Sequence, residues 1–148
     1  MINAGYVNSD RLRKEMFENR TYSAQEKAAV YNAMLEKMKE ALNQDRNMVL
    51  DAPFHKSKTR RPFIQETEGK DDIFFIEVRA DENIARERLK KSRPDSEADF
   101  EVYKFIQQHW EPLNEPHLML ESTNENIDNM LQKAAEYLQW KDDKRTDQ

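Results

Sequence analysis

The chain is expected to fold as an α/β domain built on a parallel sheet, and three observations carry that expectation. Met48-Val49-Leu50 and Ile73-Phe74-Phe75-Ile76-Glu77-Val78 are short, continuous apolar runs, the pattern of strands buried on both faces. Between and around them, apolar residues recur at three and four positions, the period of helices that face a core. Strands alternating with helices point to parallel pairing through right-handed crossovers.

The elements follow in order. Tyr6-Val7 is an apolar stub, and Ser9 stands where an N-cap would open a helix running to about Phe17. Ser23-x-x-Glu26 has capping-box spacing and opens the longest helix, whose stripe is Tyr31, Met34, Leu35, Met38, Ala41 and Leu42. After the strands at Met48 and Ile73, Asp81 to Lys91 is helical until Arg93-Pro94 breaks it. Ser96-x-x-Asp99 caps a further helix carrying Phe100, Tyr103, Ile106 and Trp110, ended by Pro112. His117 to Leu120 is a last strand, and Ile127, Met130, Leu131, Ala134 and Leu138 form the stripe of a final helix. The expected domain spans residues 1–140, and the polar run 141–148 is expected to fray as a tail.

A length of 148 residues suits one domain with enough chain to bury a core. The net charge of −5 argues against nucleic acid or an anionic membrane as the main partner. The chain has no cysteine, so disulfide staples and thiolate metal sites are excluded, and the reducing cytoplasm is the default location. No apolar run approaches the roughly 18 residues of a membrane span.

Several residues can carry chemistry. Asp10 follows a strand stub directly, at the end where open α/β sheets place their ligands. A carboxylate there can take the proton of a hydroxyl attacking a phosphoryl group, or can simply favour the first turn of a helix. Arg13, three residues on, shares its helix face and can clamp an anionic substrate. Asp51 ends an apolar strand, as a Walker-B-type acid does when it organises Mg²⁺; it also reads as a strand terminator before the Pro53 turn. His55, Lys56, Lys58, Arg60 and Arg61 form a basic cluster from which Arg60 or Arg61 can face a phosphate, or which is a solvated face. Arg86, Arg88 and Arg93 sit where a mobile lid would neutralise phosphoryl charge, although Glu82 and Arg86 also make an ordinary helical pair. His55, His109 and His117 have no metal-ligand spacing.

Taken as an ordered set, five segments resemble the small P-loop kinases of the AAA-family ATPase group, relatives of gluconate kinases, chloramphenicol phosphotransferases and zeta toxins. They are Asn8-Ser9-Asp10-Arg11-Leu12-Arg13-Lys14, Leu50-Asp51-Ala52-Pro53-Phe54, Glu87-Arg88-Leu89-Lys90-Lys91-Ser92-Arg93, residues 96–103 and Leu120-Glu121-Ser122-Thr123. The resemblance implies a three-layer fold and transfer of the γ-phosphoryl group of ATP, with Mg²⁺, to a small-molecule hydroxyl. It implies that Asp10 is the catalytic base or Mg²⁺-linked acid, that Asp51 organises the metal, and that Arg13 holds the acceptor. Arg88 and Arg93, with Arg86 beside them, match lid arginines near the ATP phosphates.

The departure from that family is severe. The chain contains no G-x-x-x-x-G-K-[ST] loop, and its two glycines, Gly5 and Gly69, leave no room for a variant. In the resembled kinases a strand, this loop and a helix precede the segment at Asp10, and Met1 to Gly5 looks like the tail of that helix. The expected sheet therefore lacks its first, central strand between the strands at Met48 and Ile73, leaving unpaired edges open to self-association. The expectation is an N-terminally truncated kinase with no useful activity, to which neither ATP nor Mg²⁺ binds tightly. Alternatives are a non-catalytic binding or regulatory domain of kinase ancestry and a nucleic-acid 5′-hydroxyl kinase fragment using Lys56–Arg61. An α/β domain unrelated to kinases is the reading left if Asp10, Asp51 and Arg88 fail to line one cleft.

Overall fold

The computed structural model describes residues 3–67, 73–91 and 99–146. Its elements are β1 (Gly5–Asn8), α1 (Ser9–Met16), α2 (Ala24–Asn43), β2 (Met48–Asp51), α3 (Ser57–Glu66) and β3 (Phe75–Ala80). They continue as α4 (Glu82–Leu89), α5 (Phe100–Gln108), β4 (His117–Ser122) and α6 (Ile127–Thr146). The α/β alternation read from the sequence is present, and both strand pairings are parallel.

The strands do not join into one sheet. β1 pairs with β2 and β3 pairs with β4, giving two separate two-stranded sheets. In the first, Val7 lies opposite Leu50 and Asn8 opposite Asp51. Because side chains alternate along a strand, this register puts Val7 and Leu50 on one face and Tyr6, Asn8, Val49 and Asp51 on the other. The first face packs on the core formed by Leu12, Val30, Met34, Met38 and Phe63. Tyr6 and Val49 on the opposite face are about half exposed, at 51% and 49%. The second sheet likewise leaves Ile76 and Val78 of β3 exposed.

Local chemistry explains most helix boundaries. Of the stripe expected for α2, Met34, Met38 and Ala41 are buried and Tyr31, Leu35 and Leu42 pack against the core cluster; Val30, outside that stripe, is fully buried as well. Ser23 accepts the N–H of Glu26 at 3.1 Å, the first half of the anticipated capping box. The second half is displaced: the Glu26 carboxylate reaches the N–H groups of Thr21 and Tyr22 instead. Asn8, not Ser9, caps α1, its side-chain oxygen accepting from the N–H groups of Asp10 and Arg11. Asp99 caps α5, whereas Ser96 and the Arg93-Pro94 break lie outside the described residues. α6 is helical to Thr146, past the boundary at residue 141 expected from the sequence. No glycine or proline interrupts residues 127–146, and polar helix formers such as Lys and Gln continue a turn readily.

Helix α3 has no counterpart in the periodicity. It buries only Arg60 and Phe63, and Pro62 sits inside it, so the segment lacks a stripe and contains a helix breaker. Tertiary bonds hold it. Ser57 N–H donates to the Glu111 carboxylate at 3.1 Å, and Glu111 N–H donates to the His55 carbonyl at 2.7 Å. Ile73, just before β3, packs against the core of the first sheet and forms a second tie between the two parts.

Candidate functional site

At the carboxyl ends of β1 and β2, Asn8 stands opposite Asp51 and two residues before Asp10. The side chain of Asn8 links them. Its oxygen caps the backbone of Asp10 at 3.0 Å while its amide nitrogen donates to Asp51 Oδ2 at 3.1 Å. The hydroxyl of Tyr6, two residues earlier on the same face, donates to that same Oδ2 at 2.5 Å. The nearby Asp51 carboxylate holds the Tyr6 phenol above its ordinary pKa, chiefly through this hydrogen bond. No hydrogen bond or ion pair among the described residues reaches Asp51 Oδ1. The side chain of Asp10 is 37% exposed and lies 3.7 Å from the Arg13 guanidinium.

Arg13 is turned inward. Its Nε lies 3.3 Å from Glu26 Oε1, both side chains are nearly buried, and its guanidinium stands over the Tyr22 ring at 4.7 Å. The N–H of Thr21, with its hydroxyl and the N–H of Tyr22, holds the Glu26 carboxyl below the usual carboxylate range, against the opposing effect of burial. Beside this pair, the Tyr31 hydroxyl accepts the N–H of Phe54 at 3.4 Å, and burial raises the Tyr31 phenol pKa. Phe54 has φ of 43°, a left-handed conformation that phenylalanine rarely adopts. Its ring makes edge contacts with Tyr31 and Phe63, which hold it there.

The basic cluster separates into two kinds of residue. Arg60 is 3% exposed and donates to the carbonyls of Phe54, Glu111 and Pro112 at 2.8, 2.9 and 3.1 Å. Its donors are committed within the chain. Arg61 is exposed on α3. His55 is buried, and the loss of water, with Lys27 and Lys56 nearby, keeps its imidazole pKa below the ordinary value.

The lid residues lie at the other sheet. Arg88 donates to Ser122 Oγ at 3.0 Å, to the Thr123 carbonyl at 2.8 Å and to Asn124 at 3.3 Å, which fixes α4 to the end of β4. Arg86 pairs with Glu82 at 3.6 Å and stands over the Phe100 ring at 4.5 Å. Arg93 lies outside the described residues. Asn8 thus bonds both the backbone N–H of Asp10 and the carboxylate of Asp51, while the hydrogen bonds of Arg88 among the described residues all go to residues 122–124.

The sequence reading placed Tyr6 in a strand stub, Tyr31 on the α2 stripe and Asn8 and Phe54 in family-like segments, but gave none of the four a role at the site. Only the strand register, Asn8 opposite Asp51, reveals the Asn8 contact, and a four-residue strand carries too little pattern to set a register from sequence.

Asp51, at a strand end with one oxygen that no bond among the described residues occupies, fits a single ligand position of a water-rich Mg²⁺ site. Nucleotide phosphates find no such fit, because the chain has no glycine-rich loop to present backbone N–H groups and no lysine following one. Among the described residues no three His, Asp or Glu side chains gather as a ready-made metal cage. Among them also, no helix is long and apolar enough to cross a membrane.

No curated protein matches the chain. The profile of the AAA domain family matches residues 3–113, which includes Asp10, Asp51 and Arg88. The match covers well over half of the 148 residues, and the chain belongs to the AAA domain family.

Proposed function

We propose that the chain is the acceptor-side part of a P-loop kinase that phosphorylates a small-molecule hydroxyl, and that these 148 residues alone do not catalyse the transfer. The observation that carries the reading is Asn8 joining the backbone of Asp10 to the carboxylate of Asp51 at the ends of two parallel strands. In this reading ATP with Mg²⁺ supplies the phosphoryl group. Asp10 accepts the proton of the acceptor hydroxyl, and Asp51 holds water or cation through its free oxygen. Arg88, anchored at the end of β4, supplies positive charge at the neighbouring strand end, and exposed Arg61 is available to an anionic acceptor. Arg13 and Arg60 act from within, as supports of the loops they hold.

A fifth strand belongs between β2 and β3 in this reading. The separation of the described strands into two parallel pairs supports it, and the exposed Val49, Ile76 and Val78 lie on faces that the helix following such a strand would cover. The test is to place a strand, a G-x-x-x-x-G-K-[ST] loop and a helix ahead of the chain and to screen hydroxyl acceptors with labelled ATP. Transfer that appears only with the added segment, and is lost on Asp10→Asn, is the expected result. Transfer by the 148-residue protein itself, also lost on Asp10→Asn, would refute the claim of inactivity.

The commitment of Arg13 and Arg60 to internal partners favours a second reading, a non-catalytic binding domain of kinase ancestry. That reading expects no transfer even after the segment is added.

A further inference from the structure

We propose that Tyr6 and Asn8 are positioning residues that hold Asp51 by one oxygen, so that Oδ1 alone faces a divalent cation. The inference rests on the reading of Asp51 as the cation-organising acid. Three observations carry it. Both donors converge on Oδ2, at 2.5 Å from the Tyr6 hydroxyl and 3.1 Å from the Asn8 amide. The amide also lies 3.4 Å from the Tyr6 oxygen, closing a triangle of three side chains. Asn8 is itself fixed, because its other end caps α1 through two backbone N–H groups, so the clamp is rigidly attached to the helix that bears Asp10.

The physical consequence is directional. A carboxylate at the end of an exposed strand ordinarily rotates and can meet a cation with both oxygens. Two donors on Oδ2 oppose that rotation and occupy the lone pairs needed for bidentate contact. What is left is a single, pre-oriented oxygen, suited to Mg²⁺, which holds several of its waters and takes one or two carboxylates. Partners standing behind a ligand in this way commonly change metal affinity by about 10–100-fold when removed. Tyr6 is half exposed and lies outside the core, so its hydroxyl can be deleted without disturbing the packing around Met34.

The experiment uses the full chain, Mn²⁺ and Mg²⁺ as the probes, and NMR as the readout. Mn²⁺ is expected to broaden the backbone amide signals of Asn8 and Asp51 first. Saturating Mg²⁺ is expected to leave the Cζ shift of the Tyr6 ring unchanged, because the hydroxyl stays on Oδ2. Tyr6→Phe should require about tenfold more Mn²⁺ for the same broadening, and Asn8→Ala should act in the same direction. Broadening at Asp51 accompanied by movement of the Tyr6 Cζ shift to its free value would overturn the clamp while leaving Asp51 as the cation acid. Equal broadening in wild type and Tyr6→Phe would also overturn it. Absence of broadening at Asp51 would overturn the cation role itself, and the clamp's purpose with it.

Discussion

Replacing Arg60 with alanine should weaken the fold more than any other change in the basic cluster. The side chain is 3% exposed and its guanidinium spans three carbonyls, one after β2 and two before β4. A hydrogen bond from a charged donor contributes about 1.5–3 kcal/mol, so simple addition would give about 4.5–9 kcal/mol. Addition overstates the loss, because the bonds share one donor group and exposed Pro112 lies where water can reach the freed carbonyls. The expected destabilisation is therefore about 3–5 kcal/mol, as for breaking other buried charged contacts. Urea unfolding followed by circular dichroism measures it. Arg60→Lys should recover only a minor part, since one ammonium cannot reach three divergent acceptors. A loss below about 1 kcal/mol for Arg60→Ala would refute the tie, and with it the structural account of α3.

Three other outcomes are expected. Met34→Ala, at a site with no exposed surface, should cost about 2–5 kcal/mol in the same urea assay, because it leaves a cavity among Leu12, Val30 and Phe63. Asn8→Ala removes the cap of α1 and should lower stability by about 1 kcal/mol, while Asn8→Asp retains the cap but sets two carboxylates together, so its deficit should shrink on acidification. Burial keeps His55 neutral in the folded state, with its pKa below the unfolded value near 6.5. Its contribution to stability is therefore complete above pH about 6.5 and declines as pH falls below it, and His55→Gln should flatten the urea midpoint between pH about 7.5 and 5.5.

The alternation of strands and helices was legible because α2 is long enough to show its period and β3, at Phe75–Ala80, overlaps the continuous apolar run read from Ile73 to Val78. Met34 and Met38 fall on the buried stripe that spacing alone identifies. α3 was not legible, since a helix held by Arg60 and by the Glu111 carboxylate carries its stabilising partners some fifty positions away in sequence. The site divides in the same way. Asp10 and Asp51 stand out because each follows an apolar run, a local signal. Tyr6 and Asn8 are recognised only through the register of β1 on β2, which two four-residue strands do not encode by pattern. The inward roles of Arg13 and Arg60 were hidden for a related reason: burial of a charged side chain depends on partners such as Glu26 and the Pro112 carbonyl. The sequence alone also did not say how the strands would pair, and they pair as β1 with β2 and β3 with β4.

The most direct measurement is the melting temperature of the 148-residue protein with and without ATP, Mg²⁺ being present throughout, beside the same chain carrying an added strand, phosphate loop and helix. The expected result is no shift for the first protein and a rise for the second, because ligand binding to the folded state alone stabilises it. A rise of similar size in the 148-residue protein would show that ATP binds without a glycine-rich cradle, and would contradict the central claim.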